Sequence, residues 1–151
     1  MWLLFSGRDI QSPLYAMAYC TINKSLINAP IADITLTSGM SGTTFICIPA
    51  GAPRTVTLPL PIAGLQYWFR HSTLAAGTII FNITPTVFAG PASPLLRGYF
   101  ENSAGAITAT GNTSITFTGP AVPGDSIDML SDGTNWYCIA CSSVAAGFTT
   151  V

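Results

Sequence analysis

One histidine, one glutamate and four cysteines make up most of the reactive side chains in this 151-residue chain. His71 follows Arg70 at the end of an alternating apolar stretch. A catalytic histidine needs a nucleophile to activate and a carboxylate to orient it. No acid lies near it in sequence, and no nucleophile elbow of the GxSxG type occurs. His71 therefore reads as a polar residue at a strand end. Glu101 is the only glutamate, which leaves the paired-carboxylate chemistry of glycosidases thinly supplied. Cys138-Ile139-Ala140-Cys141 is a single CxxC, and the other cysteines, Cys20 and Cys47, are isolated. A structural zinc needs a second pair or histidines. In a strand, Cys138 and Cys141 would also point to opposite faces. They read as buried free thiols. Asp125, Asp128 and Asp132 bring three carboxylates close in sequence, but calcium takes about six to eight oxygens and their spacing matches no calcium loop. They read as turn residues on a solvated edge. Phosphate loops of the GxxxxGK type are missing. The sequence thus offers no catalytic, cofactor or metal site, and an enzyme is not expected. Trp68, Tyr67, Tyr99 and Phe100 could form a sugar-binding face, although aromatics more often serve a core or an interface.

Composition narrows the class further. Charged residues are 7% of the chain and the net charge is -1. An average soluble domain carries about 25% charge. Nucleic-acid binding relies on clustered Lys and Arg, and the five basic residues here are scattered. Hydrophobic residues reach 49% and mean hydropathy is +0.51. No stretch approaches the roughly 18 apolar residues of a membrane span. A lone monomer with so few charges would dissolve poorly. A surface largely covered by neighbours accounts best for these figures, because obligate interfaces are apolar and poor in charge. Met1 to Phe5 is apolar but lacks the basic start and longer apolar run of an export signal. The thiols are then expected in a reducing compartment. Without export, the glycosylation sequons at Asn23, Asn82 and Asn112 carry no weight.

The elements that must position these residues are strands. Apolar residues alternate from Asp33 to Cys141, and 14 Gly and 11 Pro punctuate the chain. The alternation predicts strands at 33–37, 43–48, 54–60, 64–70, 78–84, 96–101, 106–110, 113–118, 126–130 and 135–141. Leu65, Tyr67 and Phe69 would face inward, as would Ile127, Met129, Trp136 and Cys138. The segment 43–48 has apolar residues on both faces and predicts a central strand. Asp132-Gly133 predicts a two-residue type I′ hairpin turn, with Trp136 covering one end of the core. Eight to ten short antiparallel strands at such spacing imply an all-β fold, a β-sandwich of jelly-roll type. Residues 1–30 lack a clean period and read as an N-terminal extension, or as an additional edge strand of the domain at 31–151.

The run Gly124-Asp125-Ser126-Ile127-Asp128-Met129-Leu130-Ser131-Asp132-Gly133-Thr134-Asn135-Trp136-Tyr137 resembles the closing hairpin of small viral β-modules. Leu36-Thr37-Ser38-Gly39, Arg54 to Pro59 and Ala63 to Tyr67 are similar to the upstream pattern of such modules. The resemblance covers about Asp33 to Cys141. It implies a capsid decoration (cement) protein, a minor capsid protein or a tail-fibre head, commonly a homotrimer, and it brings no catalytic motif. The resulting expectation is a virion protein, assembled inside the host cell, that binds the major capsid protein and other virion subunits. Trp2, Leu3, Leu4 and Phe5 are its expected interface anchors, and no cofactor, nucleic acid or membrane span is expected. The competing expectation is a receptor- or glycan-binding head of a fibre or spike.

Overall fold

The computed structural model describes residues 26–28, 33–49, 51–72, 77–83 and 95–151. Among them twelve strands follow one another. These are β1 (Leu26–Asn28), β2 (Ile34–Thr35), β3 (Thr43–Cys47), β4 (Arg54–Leu58), β5 (Gln66–His71) and β6 (Ile79–Ile83). They continue with β7 (Leu96–Asn102), β8 (Gly105–Asn112), β9 (Ser114–Phe117), β10 (Ser126–Ser131), β11 (Trp136–Cys141) and β12 (Phe148–Thr150). One sheet has the order β1-β3-β5-β10-β11-β7-β8 and the other β12-β9-β6-β4-β2. Their inner faces pack on each other, which makes the protein an all-β sandwich.

The pairing differs from a uniformly antiparallel arrangement. β1–β3–β5 and β2–β4–β6 are parallel, as is β11 with β7. Odd and even strands of the first half fall in different sheets, so the chain winds back and forth across the core. Each strand then lies beside the one two elements earlier and runs the same way. A jelly roll would place antiparallel neighbours there. From β9 onward the pairing is antiparallel except where β11 meets β7. β12 lies beyond the strands that the alternation predicts, whereas β1 matches the alternative of an additional edge strand within residues 1–30. β1 lies inside the stretch read as an extension and forms the edge of the larger sheet. Trp2, Leu3, Leu4 and Phe5 lie outside the described residues.

The core is aromatic. Phe45 stacks on Phe69 at 5.3 Å between ring centroids, and Phe69 meets Phe81 of the facing sheet at 4.5 Å. Phe81 meets Phe117 edge-on at 5.5 Å. Such contacts add about 0.5–1.5 kcal/mol each beyond the area they bury. Leu65, Tyr67, Phe69, Ile127, Met129, Trp136 and Cys138 all point inward as the alternation predicts. The Trp136 indole N–H donates to the Pro59 carbonyl at 3.2 Å, so its one polar atom is satisfied inside the core.

Three local expectations change. β3 lies between β1 and β5, a central strand as predicted, but it is buried on one face only: Phe45 and Cys47 point inward, while Ile46 and Ile48 look out from the sheet. Leu60 lies beyond the end of β4 and is exposed. The β10–β11 connection spans four residues, because Ser131 pairs with Trp136. Asp132 does not adopt positive φ; only Gly133 does, at +97°. The type I′ turn is therefore replaced by a longer loop, which the Asp132 side chain organises. Its Oδ1 accepts from the N–H groups of Thr134 and Asn135, both at 2.7 Å. Those donors, Asn135 first, hold the Asp132 carboxyl below its ordinary range.

Candidate interaction face

Alternation sends every second residue of β5, β10, β11 and β7 to the outside of the larger sheet. Strand register then gathers them into rows. Trp68 lies beside Asp128, Asp128 beside Ile139, and Ile139 beside Tyr99. One row over, Gln66, Leu130, Tyr137 and Arg97 are neighbours. On the other side run Arg70, Ser126, Cys141 and Glu101. Ile139 is 61% exposed, Tyr99 47%, Leu130 45% and Tyr137 42%. Arg70 Nη1 donates to Asp128 Oδ1, so the charge pair within this face neutralises itself. A shallow groove of about 250 Å³ lies between Gln66, Trp68, Asp128, Leu130, Tyr137 and Ile139.

The smaller sheet presents a different outer surface. Its rows read Thr149, Thr116, Ile80, Thr55 and Ser114, Asn82, Thr57, Thr35. Hydroxyl and amide groups suit water. Among the described residues, Tyr99, Leu130, Tyr137 and Ile139 are large exposed apolar side chains on the face of the seven-stranded sheet, while Ile48, Leu60, Ile62 and Val151 lie outside the strands; contiguous exposed apolar surface marks interaction sites.

A second depression, of about 520 Å³, lies at one end of the sandwich beside Glu101, Asn102, Pro123, Asp125, Cys141 and Ser142. Buried Asp125 dominates it. Its Oδ2 accepts from the Val122 N–H at 3.0 Å and the Ser142 hydroxyl at 2.8 Å, and its Oδ1 accepts from the Ser143 N–H at 3.0 Å. These bonds clamp the β9–β10 loop to the β11–β12 loop. The His71 N–H donates to the Asp125 carbonyl at 2.8 Å, yet the imidazole points into the core and meets Phe117 edge-on at 5.4 Å. Neither ring nitrogen has a partner with hydrogen-bond geometry. Burial lowers the His71 pKa, opposed by the charge of Asp125 and by the nearby Val122 carbonyl. Serine, aspartate and histidine are thus close here, but the serine bonds the carboxylate and not the imidazole. That geometry fastens loops and activates no nucleophile.

The sequence candidates separate accordingly. His71 is the last residue of β5, a strand end as expected, but its side chain is buried in the core. Asp125 clamps loops, Asp128 pairs with Arg70 and Asp132 caps a turn, so the three carboxylates do not converge. Among the described residues no group of three or more His, Cys, Asp or Glu could hold a metal ion. Of the four aromatics considered for a sugar-binding face, Trp68 and Tyr99 are on the outer face, while Tyr67 and Phe100 are in the core. Adjacent residues of a strand must face opposite ways, so only one of each pair could be outside. Leu130, Tyr137 and Ile139 complete the face, and the period-two pattern already placed Tyr137 and Ile139 opposite Trp136 and Cys138.

No family model, curated protein or solved structure matches the chain.

Proposed function

We propose that the chain is a non-catalytic structural protein of a virion, a capsid decoration or minor capsid protein that packs against coat subunits. The observation that carries this reading is the outward apolar face of exposed Tyr99, Leu130, Tyr137 and Ile139, with half-buried Trp68 beside them, on one sheet of a sandwich. A charge content of 7% and the virus-like run Gly124 to Tyr137 support it. Burying apolar area contributes about 25 cal/mol per Å², less the cost of association. A rigid sheet loses little conformational freedom on docking, so more of that gain is retained. The major capsid protein and neighbouring virion subunits are the partners this reading names.

The test is reconstitution on particles that lack the chain. Ile139→Lys should lower occupancy by about tenfold or more, because it would bury an added charge whose neighbouring carboxylate, Asp128, is already paired with Arg70. Unchanged occupancy, with an unchanged melting temperature, would remove the proposal. A glycan-binding fibre head is the second reading. It draws on the groove beside Trp68, where an indole face adjoins the polar groups of Gln66, Asp128 and Tyr137. A glycan array without hits counts against it.

A further inference from the structure

We infer that the outer face of the seven-stranded sheet docks a second copy of this chain, about a two-fold axis crossing the strands over Ile139 and Tyr99. It shares with the coat reading the premise that this face is covered, but it names a different occupant, so the two compete for the same side chains. The argument comes from the order of charges along β7. Its outward residues are Arg97, Tyr99 and Glu101: a cation, an aromatic and an anion, centred on Tyr99. Both charged residues are exposed, and neither side chain has an ion-pair or hydrogen-bond partner among the described residues.

When two copies of one sheet face each other across such an axis, the strand direction of the second copy is reversed over the first. Arg97 then lies opposite Glu101 of the second copy, and Glu101 opposite its Arg97. The same operation sets Ile139 over Ile139 and Tyr99 over Tyr99, the two most exposed apolar side chains within the strands of this face. Tyr137 comes to lie opposite Cys141. A patch that is complementary to itself in this way is the signature of an isologous interface. Asp128 also falls opposite its own copy, but Arg70 neutralises each carboxylate within its own chain.

The area is adequate. Strands spaced about 4.8 Å apart with a rise of about 3.3 Å per residue give β3, β5, β10, β11 and β7 a flat footprint of about 480 Å². Side chains corrugate that footprint, so its accessible area is larger and comes near the lower end of stable interfaces, about 600 Å² per partner. The threonine-rich face of the other sheet has neither the apolar centre nor the paired charges. Charge pairs at an interface rim set orientation and partner choice more than affinity. Reversal of charge is therefore the informative change.

The experiment measures mass and dissociation constant by sedimentation on the full chain, with circular dichroism and melting temperature as folding controls. The wild type should be a dimer. Arg97→Glu and Glu101→Arg should each weaken association by about tenfold or more, since each puts like charges opposite one another twice. The double variant Arg97→Glu/Glu101→Arg should recover wild-type association to within about threefold, because the pairing is restored in reverse. A monomeric wild type would overturn the inference. So would a trimer, the state that the viral resemblance implies, or a dimer indifferent to both single reversals. Particle occupancy separates the two proposals. If Ile139→Lys empties the particles while charge reversal changes nothing, the face is covered by coat and the pairing fails. If the charge swap rescues dimers while Ile139→Lys leaves occupancy intact, the pairing stands and the coat reading fails.

Discussion

At the scale of single residues, burial decides which groups can react. Cys47 is inside the core, and burial pushes its thiol up to about 12, with Arg70 only partly offsetting the effect. Burial raises the Cys138 thiol as well, helped by the charges of Asp128 and Cys141. Cys141, expected to be buried like Cys138, is instead exposed three positions on, because it lies on the opposite face of β11. Thiolates are the reactive species, and a desolvated thiol stays protonated. N-ethylmaleimide near neutral pH, on the folded Arg97→Glu variant in which the proposed pairing no longer covers Cys141, should therefore modify Cys141 and spare Cys47 and Cys138 until denaturant is added. Peptide mass spectrometry reads the outcome, and equal labelling of all three in the native state would contradict the burial. The opposite facing of Cys138 and Cys141 was legible in the sequence, because it follows from strand period alone. The burial of His71 was less so. The inward series Leu65, Tyr67, Phe69 reaches position 71 only because β5 continues one residue past Arg70, and strand ends are where pattern gives the weakest guidance.

At the scale of elements, the inward and outward sets were readable and the partners were not. Alternation tells which side chains share a face. It says nothing about which strand lies alongside or in which direction it runs. Those depend on whether each connection turns back within a sheet or crosses to the other, and loops of similar composition do both here. One position does report the pairing. Gly98 of β7 lies opposite Cys138 of β11 in the parallel pair, and a Cβ there would sit 1.8 Å from the Cys138 carbonyl oxygen. Backbone cannot yield as a flexible side chain would. Gly98→Ala should therefore cost on the order of 3 kcal/mol in unfolding free energy, through forced separation of β7 from β11. Denaturant titration measures it. Gly119→Ala is the control, since no atom lies within 4 Å of the Cβ it would add. A loss at Gly98 no larger than at Gly119 would mean that β7 and β11 are not in this close parallel contact. The Asp132-Gly133 loop makes the complementary point. The dipeptide marked the turn correctly, but the turn's length was set by Asp132 capping Thr134 and Asn135, a choice a dipeptide alone does not encode.

At the scale of the whole molecule, the two sheets are held by an apolar interior that contains one group able to titrate near neutrality. His71 projects from the larger sheet onto Phe117 of the smaller one, with Asp125 the nearby carboxylate. Burial holds its folded pKa below the ordinary value of 6.5, and Asp125 and the Val122 carbonyl only moderate that effect. The sign of the linkage follows. Above 6.5 the imidazole is neutral in both states and contributes no pH dependence. As pH falls below 6.5 the unfolded chain takes up a proton that the folded chain refuses, so unfolding is favoured. The loss approaches but does not exceed about 1.4 kcal/mol per pH unit, and it ends when pH passes below the folded pKa. Unfolding free energy should thus decline between about pH 6.5 and 5, above the range where exposed carboxylates titrate. His71→Gln has no proton to gain there, and its stability should be flat across that window whatever its absolute value. Chemical denaturation at half-unit pH intervals compares the two slopes. Parallel slopes would mean that the acid sensitivity of the sandwich arises elsewhere and that the imidazole is not held neutral between the sheets.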